Sequence, residues 1–383
     1  MVTRFQLDFL RAKPDSLHGC CGTPAAKENR MTKEFSHFAA RLRAAIATGF
    51  RPEDFPALAL ELFALQFQHT AAYQTICRSR RLTPANVTDW TQIPAVPTAA
   101  FKELELTSLA PSERTAVFRS SGTTEQKPSR HFHHADSLAT YEASLWAGFN
   151  FQFPISNFQL VILTPPPAQA RHSSLVHMFE QVRGKLAQPA EVFLGRVAAD
   201  GSWLLDFPAV LAAMSPNSKL KAQNSKLVLG TAFSFVHLLD FLVGENLRLA
   251  LPPGSQVLET GGYKNRSRSM PKAKLHAFIT DRLGVPPENI ICEYGMSELS
   301  SQAYSTGRVF QFPPWAKAQV ISPETGREVA CGETGLLRLF DLANVYSVQA
   351  IQTEDLTIRR GDGFELLGRA QLAEPRGCSL MTA

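Results

Sequence analysis

The chain lacks any apolar run long enough to cross a bilayer. Its greasiest stretch, 57–67, is interrupted by Glu61 and Gln66, whereas spanning takes about 20 consecutive apolar residues. Met1 to Ser16 carries Arg4, Asp8, Arg11 and Lys13, so no secretory leader is expected. Paired cysteines are missing too. Cys20, Cys21, Cys77, Cys292, Cys331 and Cys378 are scattered, with no CxxC spacing for zinc. A reduced, cytoplasmic compartment is the expectation. No internal repeat or low-complexity tract is visible. Strong charge of either sign is absent as well: a net charge of +5 with 19% charged residues suits a small anionic ligand and argues against nucleic acid. Two basic clusters, Arg78, Arg80, Arg81 and Lys264, Arg266, Arg268, read as solvent-facing.

What is present is the composition of a globular protein. At 383 residues and 44% hydrophobic content, the chain exceeds the size at which one core stops growing, so subdomains sharing a cleft are expected. Residues 1–30, including the vicinal Cys20-Cys21, read as a flexible arm. Helical patterning begins near Phe35, with Phe38, Leu42 and Ala45 on one face, and 55–76 reads as a second helix. Strand candidates ending in loops follow at 158–163, 227–229, 255–258 and 289–293. This is the pattern of an open α/β sheet, whose ligands sit at the carboxyl ends of the strands. From 309 the texture changes to short strands and turns at 336–340, 348–351 and 364–367. The expected division is an arm (1–30), an α/β core (31–308), a small β-rich subdomain (309–369) and a mobile tail (370–383).

Three motifs stand on this frame. The first is Ser120-Ser121-Gly122-Thr123-Thr124 after a β-leaning run. Gly122 adopts backbone angles that other residues resist, so successive N–H groups and hydroxyls can surround a phosphate. The second, Glu293-Tyr294-Gly295-Met296-Ser297-Glu298, places an aromatic at a strand end and a hard oxygen ligand for Mg²⁺ at Glu298. The third is Thr353-Glu354-Asp355 with Gly368-Arg369 further on, a carboxylate and a guanidinium suited to ribose hydroxyls. Asp362-Gly363 between them suits a hairpin.

In this order, with Gly261-Gly262 between the first two, the motifs resemble the adenylate-forming (acyl-activating) superfamily. The chain is most similar to the acyl-protein synthetases of bacterial fatty-acid reductase complexes. That closer likeness rests on Gln66, His69 and Tyr73, on Ile93-Pro94-Ala95-Val96-Pro97 with Phe101-Lys102, on Gly230-Thr231-Ala232-Phe233, and on Glu374 to Leu380. The resemblance implies mixed sheets flanked by helices. It implies that Ser120, Ser121, Gly122, Thr123 and Thr124 hold the phosphates of ATP, and that Gly261, Gly262 and Tyr263 line the adenine side. Tyr294 would stack on the base beside Gly295 and Met296, Ser297 would touch the α-phosphate, and Glu298 would bind Mg²⁺. Asp355 and Arg369 would hold the ribose, and a fatty acid would be the substrate.

Two departures from the family pattern matter. Glu125 stands where the phosphate loop usually continues with glycine, and at 4 Å it would be repelled by about 4 kcal/mol per unit charge. It is therefore expected to turn outward or be neutralised by Lys127. Full-sized members of the superfamily continue into a mobile lid with a catalytic lysine, whereas only 14 residues follow Arg369 and no lysine follows Lys317. The expectation is a lidless site, its charge neutralised by Mg²⁺, backbone amides and Arg369.

Cys378 is the candidate acyl acceptor, since related synthetases take the acyl group onto a cysteine near their end. An unperturbed thiol is only about 3% thiolate at pH 7, and Arg376 two residues away would raise that fraction. The alternative is a free cysteine in a frayed tail. His131, His133 and His134 read as a solvent-facing β edge, and His172 and His177 as either structural or bordering an acyl pocket. Phe233 and Phe235 are placed beside an acyl chain. Three functions stay open: acyl transfer to the enzyme's own cysteine with hand-over to a reductase partner, a phenylacetate–CoA-type ligase, and a weakly active nucleotide-binding scaffold.

Overall fold

At 226–231 every residue is buried, and this run forms the interior of the principal sheet. The computed structural model describes residues 24–120, 127–153, 158–215, 225–261 and 270–370. In chain order its strands are β1 (Val96–Pro97), β2 (Ala116–Arg119), β3 (Arg130–His133), β4 (Gln159–Ile162), β5 (Gly195–Val197), β6 (Trp203–Leu205), β7 (Lys226–Thr231), β8 (Gln256–Thr260), β9 (Ile290–Tyr294), β10 (Ala303–Ser305), β11 (Val309–Phe310), β12 (Ala316–Ile321), β13 (Thr334–Asp341), β14 (Ala350–Arg360) and β15 (Gly363–Arg369).

The principal sheet runs β10-β9-β8-β7-β4, with β4, β7, β8 and β9 parallel and β10 an antiparallel edge. Helices cover both faces. Val228, Val257 and Ile290 pack with the helices Phe207–Met214, Ala232–Gly244 and Lys272–Leu283. Leu227, Leu229, Leu258 and Ile291 pack with Ala135–Gln152 and Ser174–Lys185. Burying each such side chain contributes about 1.5–3 kcal/mol, more than the ~1 kcal/mol span of strand propensity, so burial fixes these strands. Phe235 is wholly buried in the first of these cores, so it belongs to the packing between helix and sheet. Phe233 packs against Trp203 and His237.

Hydrogen bonds at the helix starts show why the chain turns where it does. Ser173, Asp206 and Thr231 each accept an N–H from the first turn of the helix that follows. The Lys272–Leu283 helix ends at Gly284, whose φ of 69° is left-handed and suits glycine.

The second sheet, β11-β15-β14-β13-β12, is antiparallel, and β1 joins β14 in parallel with Val96 opposite Ile351. Its strands are longer than the sequence patterning indicates, β14 reaching 11 residues. Irregularities at Leu336/Arg338 and Leu356/Thr357 interrupt the alternation that marks a strand in sequence. Gly361-Asp362 forms the two-residue turn between β14 and β15.

The expected helix over 55–76 is two helices, Phe55–His69 and Ala71–Ser79. Thr70 between them is extended and wholly buried. The apolar pattern continues across the break because both helices bury a face, with Phe63 of the first meeting Tyr73 of the second. Among the described residues no helix is long and apolar enough to cross a membrane.

Candidate functional site

Strands β2 and β3 lead into and out of the first motif. Ser121, Gly122, Thr123, Thr124 and Glu125 lie outside the described residues, but the flanks are defined. Ser120 Oγ accepts the Ser129 N–H at 2.9 Å. The Ser129 and Ser297 hydroxyls are 3.2 Å apart, and Ser297 donates to Glu298 Oε2 at 3.0 Å. A hydroxyl has one proton, so Ser129 is left to donate to Ser297. A buried chain of oxygens thus links the flank of the Ser-Ser-Gly-Thr-Thr motif to the Tyr-Gly-Met-Ser-Glu loop. Lys127 pairs with Glu103 at 3.2 Å, an exposed bond of little energetic weight.

Tyr294, at the end of β9, donates its hydroxyl to Asp355 Oδ2 at 2.6 Å. Phe310, Phe312 and Phe364 meet its ring at steep angles. Asp355 faces Arg369 across the β14–β15 ladder, with Arg369 Nε 3.8 Å from Oδ1. Burial pushes the Asp355 carboxyl up, while the Tyr294 hydroxyl and Arg369 pull it down. Burial and the Asp355 charge raise Tyr294 well above its ordinary value, so it remains a phenol donor. A carboxylate has about four lone-pair sites, so Asp355 keeps acceptor capacity with Tyr294 bound.

Gly261 follows β8 with φ 69° and open space where a Cβ would stand. Gly295 is constrained differently: a Cβ there would meet Glu293 Oε1 at 2.2 Å. Glu293 in turn accepts the Thr260 hydroxyl, tying the ends of β8 and β9 together. Gly262 and Tyr263 lie outside the described residues, as do Arg376 and Cys378. The structure therefore brings together Ser120, Ser297 and Glu298 in one network and Tyr294, Asp355 and Arg369 in another. Gly295 and Met296 join the two.

Of the residues that hold this loop, sequence reasoning singled out Gln66 only as a mark of likeness and missed Asp341 and Asn344. Asp341, at the end of β13, accepts the N–H groups of Ser300, Ser301 and Ala343 and the Ser301 hydroxyl. Asn344 donates to the Glu298 carbonyl at 2.9 Å and accepts the Ser300 hydroxyl at 2.8 Å. Gln66 donates to the Asn344 carbonyl at 2.8 Å and accepts the Gln349 N–H at 3.0 Å. The only signal for Asp341 and Asn344 was two polar side chains within the otherwise apolar run 339–345.

The histidines overturn one expectation. His131 and His133 are 4% and 1% exposed, so this is no solvent-facing edge. Phe118 and Tyr141 meet the His133 ring, and His177 packs on both of them, because the hairpin lies against the Ala135–Gln152 helix. His134 caps that helix by accepting the Ser137 N–H. His131 Nδ1 lies 3.0 Å from the Ser297 carbonyl, which can only accept, so Nδ1 carries the proton. His177 pairs with Glu142 and His172 with the Val117 carbonyl, both structural contacts.

Burial lowers the His131 pKa to about 4. The folded state therefore binds fewer protons than the unfolded one between pH 4 and 6.5, and stability is lost as pH falls through that window. The loss from His131 is about 3 kcal/mol across the window. Urea midpoints taken from pH 7 to 4.5 should fall, and His131→Asn should flatten the slope. Equal slopes in both proteins would remove His131 as the cause.

The family model described as acyl-protein synthetase, LuxE, matches residues 52–383. The long-chain-fatty-acid–luciferin-component ligase of Aliivibrio fischeri is 23% identical over 347 residues, covering 85% of this chain and 87% of that protein. Its Vibrio harveyi counterpart is 24% identical over 305 residues, covering 77% and 78%. Among solved structures, 2-hydroxyisobutyryl-CoA ligase in the postadenylation state with 2-HIB-AMP gives a TM-score of 0.60 at 14% identity, covering 94% of this chain and 73% of that one. Its open conformation with 2-HIB-AMP and CoA gives 0.59 at 15% identity, covering 80% and 74%. The likeness to these structures is one of fold.

Proposed function

The chain belongs to the LuxE acyl-protein synthetase family, and from that premise we propose that it activates a long-chain fatty acid with ATP and takes the acyl group onto its own Cys378. In the first step a carboxylate oxygen attacks the α-phosphorus of ATP. The acyl–O–P bond forms as the bond from Pα to the bridging oxygen breaks, and pyrophosphate leaves. In the second step the Cys378 thiolate attacks the acyl carbon. The C–S bond forms, and AMP leaves with the electron pair of the broken C–O bond.

The roles follow the two networks. Ser120 to Thr124 cradle the phosphates, and Ser297 reaches the α-phosphate. Gly261, Gly262, Tyr263 and Tyr294 border the adenine, while Asp355 and Arg369 take the ribose. Glu298, Ser297 and Ser129 present hard oxygens, a donor set that fits Mg²⁺. When bound, that ion would offset charge developing on the phosphates. Arg376 favours the thiolate of Cys378. The acyl group then passes to a reductase partner, in the cytoplasm. One observation carries this reading: the single loop 294–298 bonds at one end to Asp355 and at the other to the flank of the phosphate loop.

Exchange of labelled pyrophosphate into ATP, run with Mg-ATP and a panel of fatty acids, tests it. Exchange should require the acid, and Asp355→Ala should raise the KM for ATP about tenfold, the effect of one charge-assisted hydrogen bond. Acid-independent exchange, or none with any acid, refutes the adenylation step.

A further inference from the structure

Glu259 of β8 and Cys292 of β9 face each other in register, and both side chains point to the face covered by the Lys272–Leu283 helix. His276 of that helix meets the pair. Cys292 Sγ is 3.4 Å from Glu259 Oε2 and 3.6 Å from His276 Nε2, and Nε2 is 3.6 Å from Oε2. The three atoms form a nearly equilateral triangle. Tetrahedral arms of about 2.0–2.3 Å to N, O and S donors place those donors about 3.3–3.8 Å apart. The observed triangle is therefore one face of such a tetrahedron.

The chemistry agrees with the geometry. A thiolate, an imidazole and a carboxylate are the donor types of zinc, and the sulfur disfavours Mg²⁺ and Ca²⁺. Glu259 and Cys292 are 6% and 2% exposed, and the His276 side chain is 19% exposed, so the trio is enclosed with His276 nearest solvent. A divalent ion would be neutralised by the two anionic ligands. Lys272, one turn before His276, stands over the Phe310 ring at 4.7 Å. No step of acyl activation uses these three side chains.

We propose that Glu259, His276 and Cys292 form a binding site for a zinc-class divalent ion, pinning the Lys272–Leu283 helix to β8 and β9. The site lies two residues ahead of Gly261 and of Tyr294, so it braces the strand ends that bear the nucleotide. It is separate from the hard-oxygen set at Glu298, and its ligands span 259 to 292, a spacing that no cysteine motif announces.

The test uses the full chain, purified without chelator, loaded with excess Zn²⁺ or Co²⁺ and then desalted. About one equivalent should remain by plasma mass spectrometry, and the Co²⁺ form should show a thiolate-to-cobalt charge-transfer band. Outer-shell changes alone cost about 10–100-fold in metal affinity, so loss of a ligand should cost more. Cys292→Ser should abolish the band, and both it and His276→Gln should lose the retained ion. Near-ultraviolet dichroism checks that each variant is folded. If Cys292→Ser is not, His276→Gln decides, because His276 is the least buried of the three. A wild-type chain that keeps no metal overturns the proposal. So does one whose metal content is unchanged in His276→Gln, which would place the ion elsewhere.

Discussion

Cys378→Ser should end covalent labelling of the enzyme by fatty acid while leaving acid-dependent pyrophosphate exchange at the wild-type level. A serine hydroxyl ionises far less readily than a thiol, so acyl transfer should fall by at least about three orders of magnitude. Among the described residues, the other cysteines offer little relief. Burial pushes the thiols of Cys77 and Cys292 up to about 12, so neither is an available nucleophile at neutral pH. Cys331 is exposed and controls for adventitious acylation, since Cys331→Ser should leave the label intact. Intact-mass spectrometry after incubation with Mg-ATP and fatty acid, before and after hydroxylamine, reads the outcome directly. Equal labelling of wild type and Cys378→Ser would reject the acceptor role. Turnover of both proteins with coenzyme A would favour a ligase of the phenylacetate–CoA type.

Asp341→Leu should be the most destabilising single change near the site. The substitution keeps the branching of the side chain, adds bulk, and removes an acceptor that serves three backbone N–H groups and one hydroxyl. Each buried donor left unpaired costs about 1–3 kcal/mol. Part of this is returned, because burial pushes the Asp341 carboxyl up and the charge itself is costly to hold. The net loss should be about 4 kcal/mol, against a typical total of about 5–15 kcal/mol. Asp341→Asn, which retains one acceptor oxygen, should lose about half as much. Urea denaturation of the three proteins measures both. A loss below about 1 kcal/mol for Asp341→Leu would mean that Ser300 and Ser301 find other acceptors.

How much of this was legible in the sequence depends on the range of the interaction. The strands β4, β7, β8 and β9 could be read because buried apolar runs are local signals. The division at Thr70 could not, since the apolar pattern runs unbroken while the backbone does not. The alternation His131, Phe132, His133 reads as an edge when polarity is taken to mean exposure. Here both imidazoles are buried, and His131 is satisfied by Ser297 from 166 positions away. Within the site, the motifs named Tyr294, Ser297, Glu298 and Asp355. They did not show that Tyr294 binds Asp355, or that Asp341 and Asn344 hold the loop between the motifs. Those bonds join separate strands, and no spacing along one segment encodes them.

The parallel pairing of Val96–Pro97 with β14 carries a mechanical consequence. Asp355 stands in β14, and the chain leaving Pro97 reaches Ser120 only 23 residues later. The strand that presents Asp355 is thus stitched to the polypeptide that leads on to Ser120. A swing of one against the other would have to tear that seam. Compliance is therefore best sought in the segments between strands, with β1 and the stretch of β14 beside it travelling as one piece.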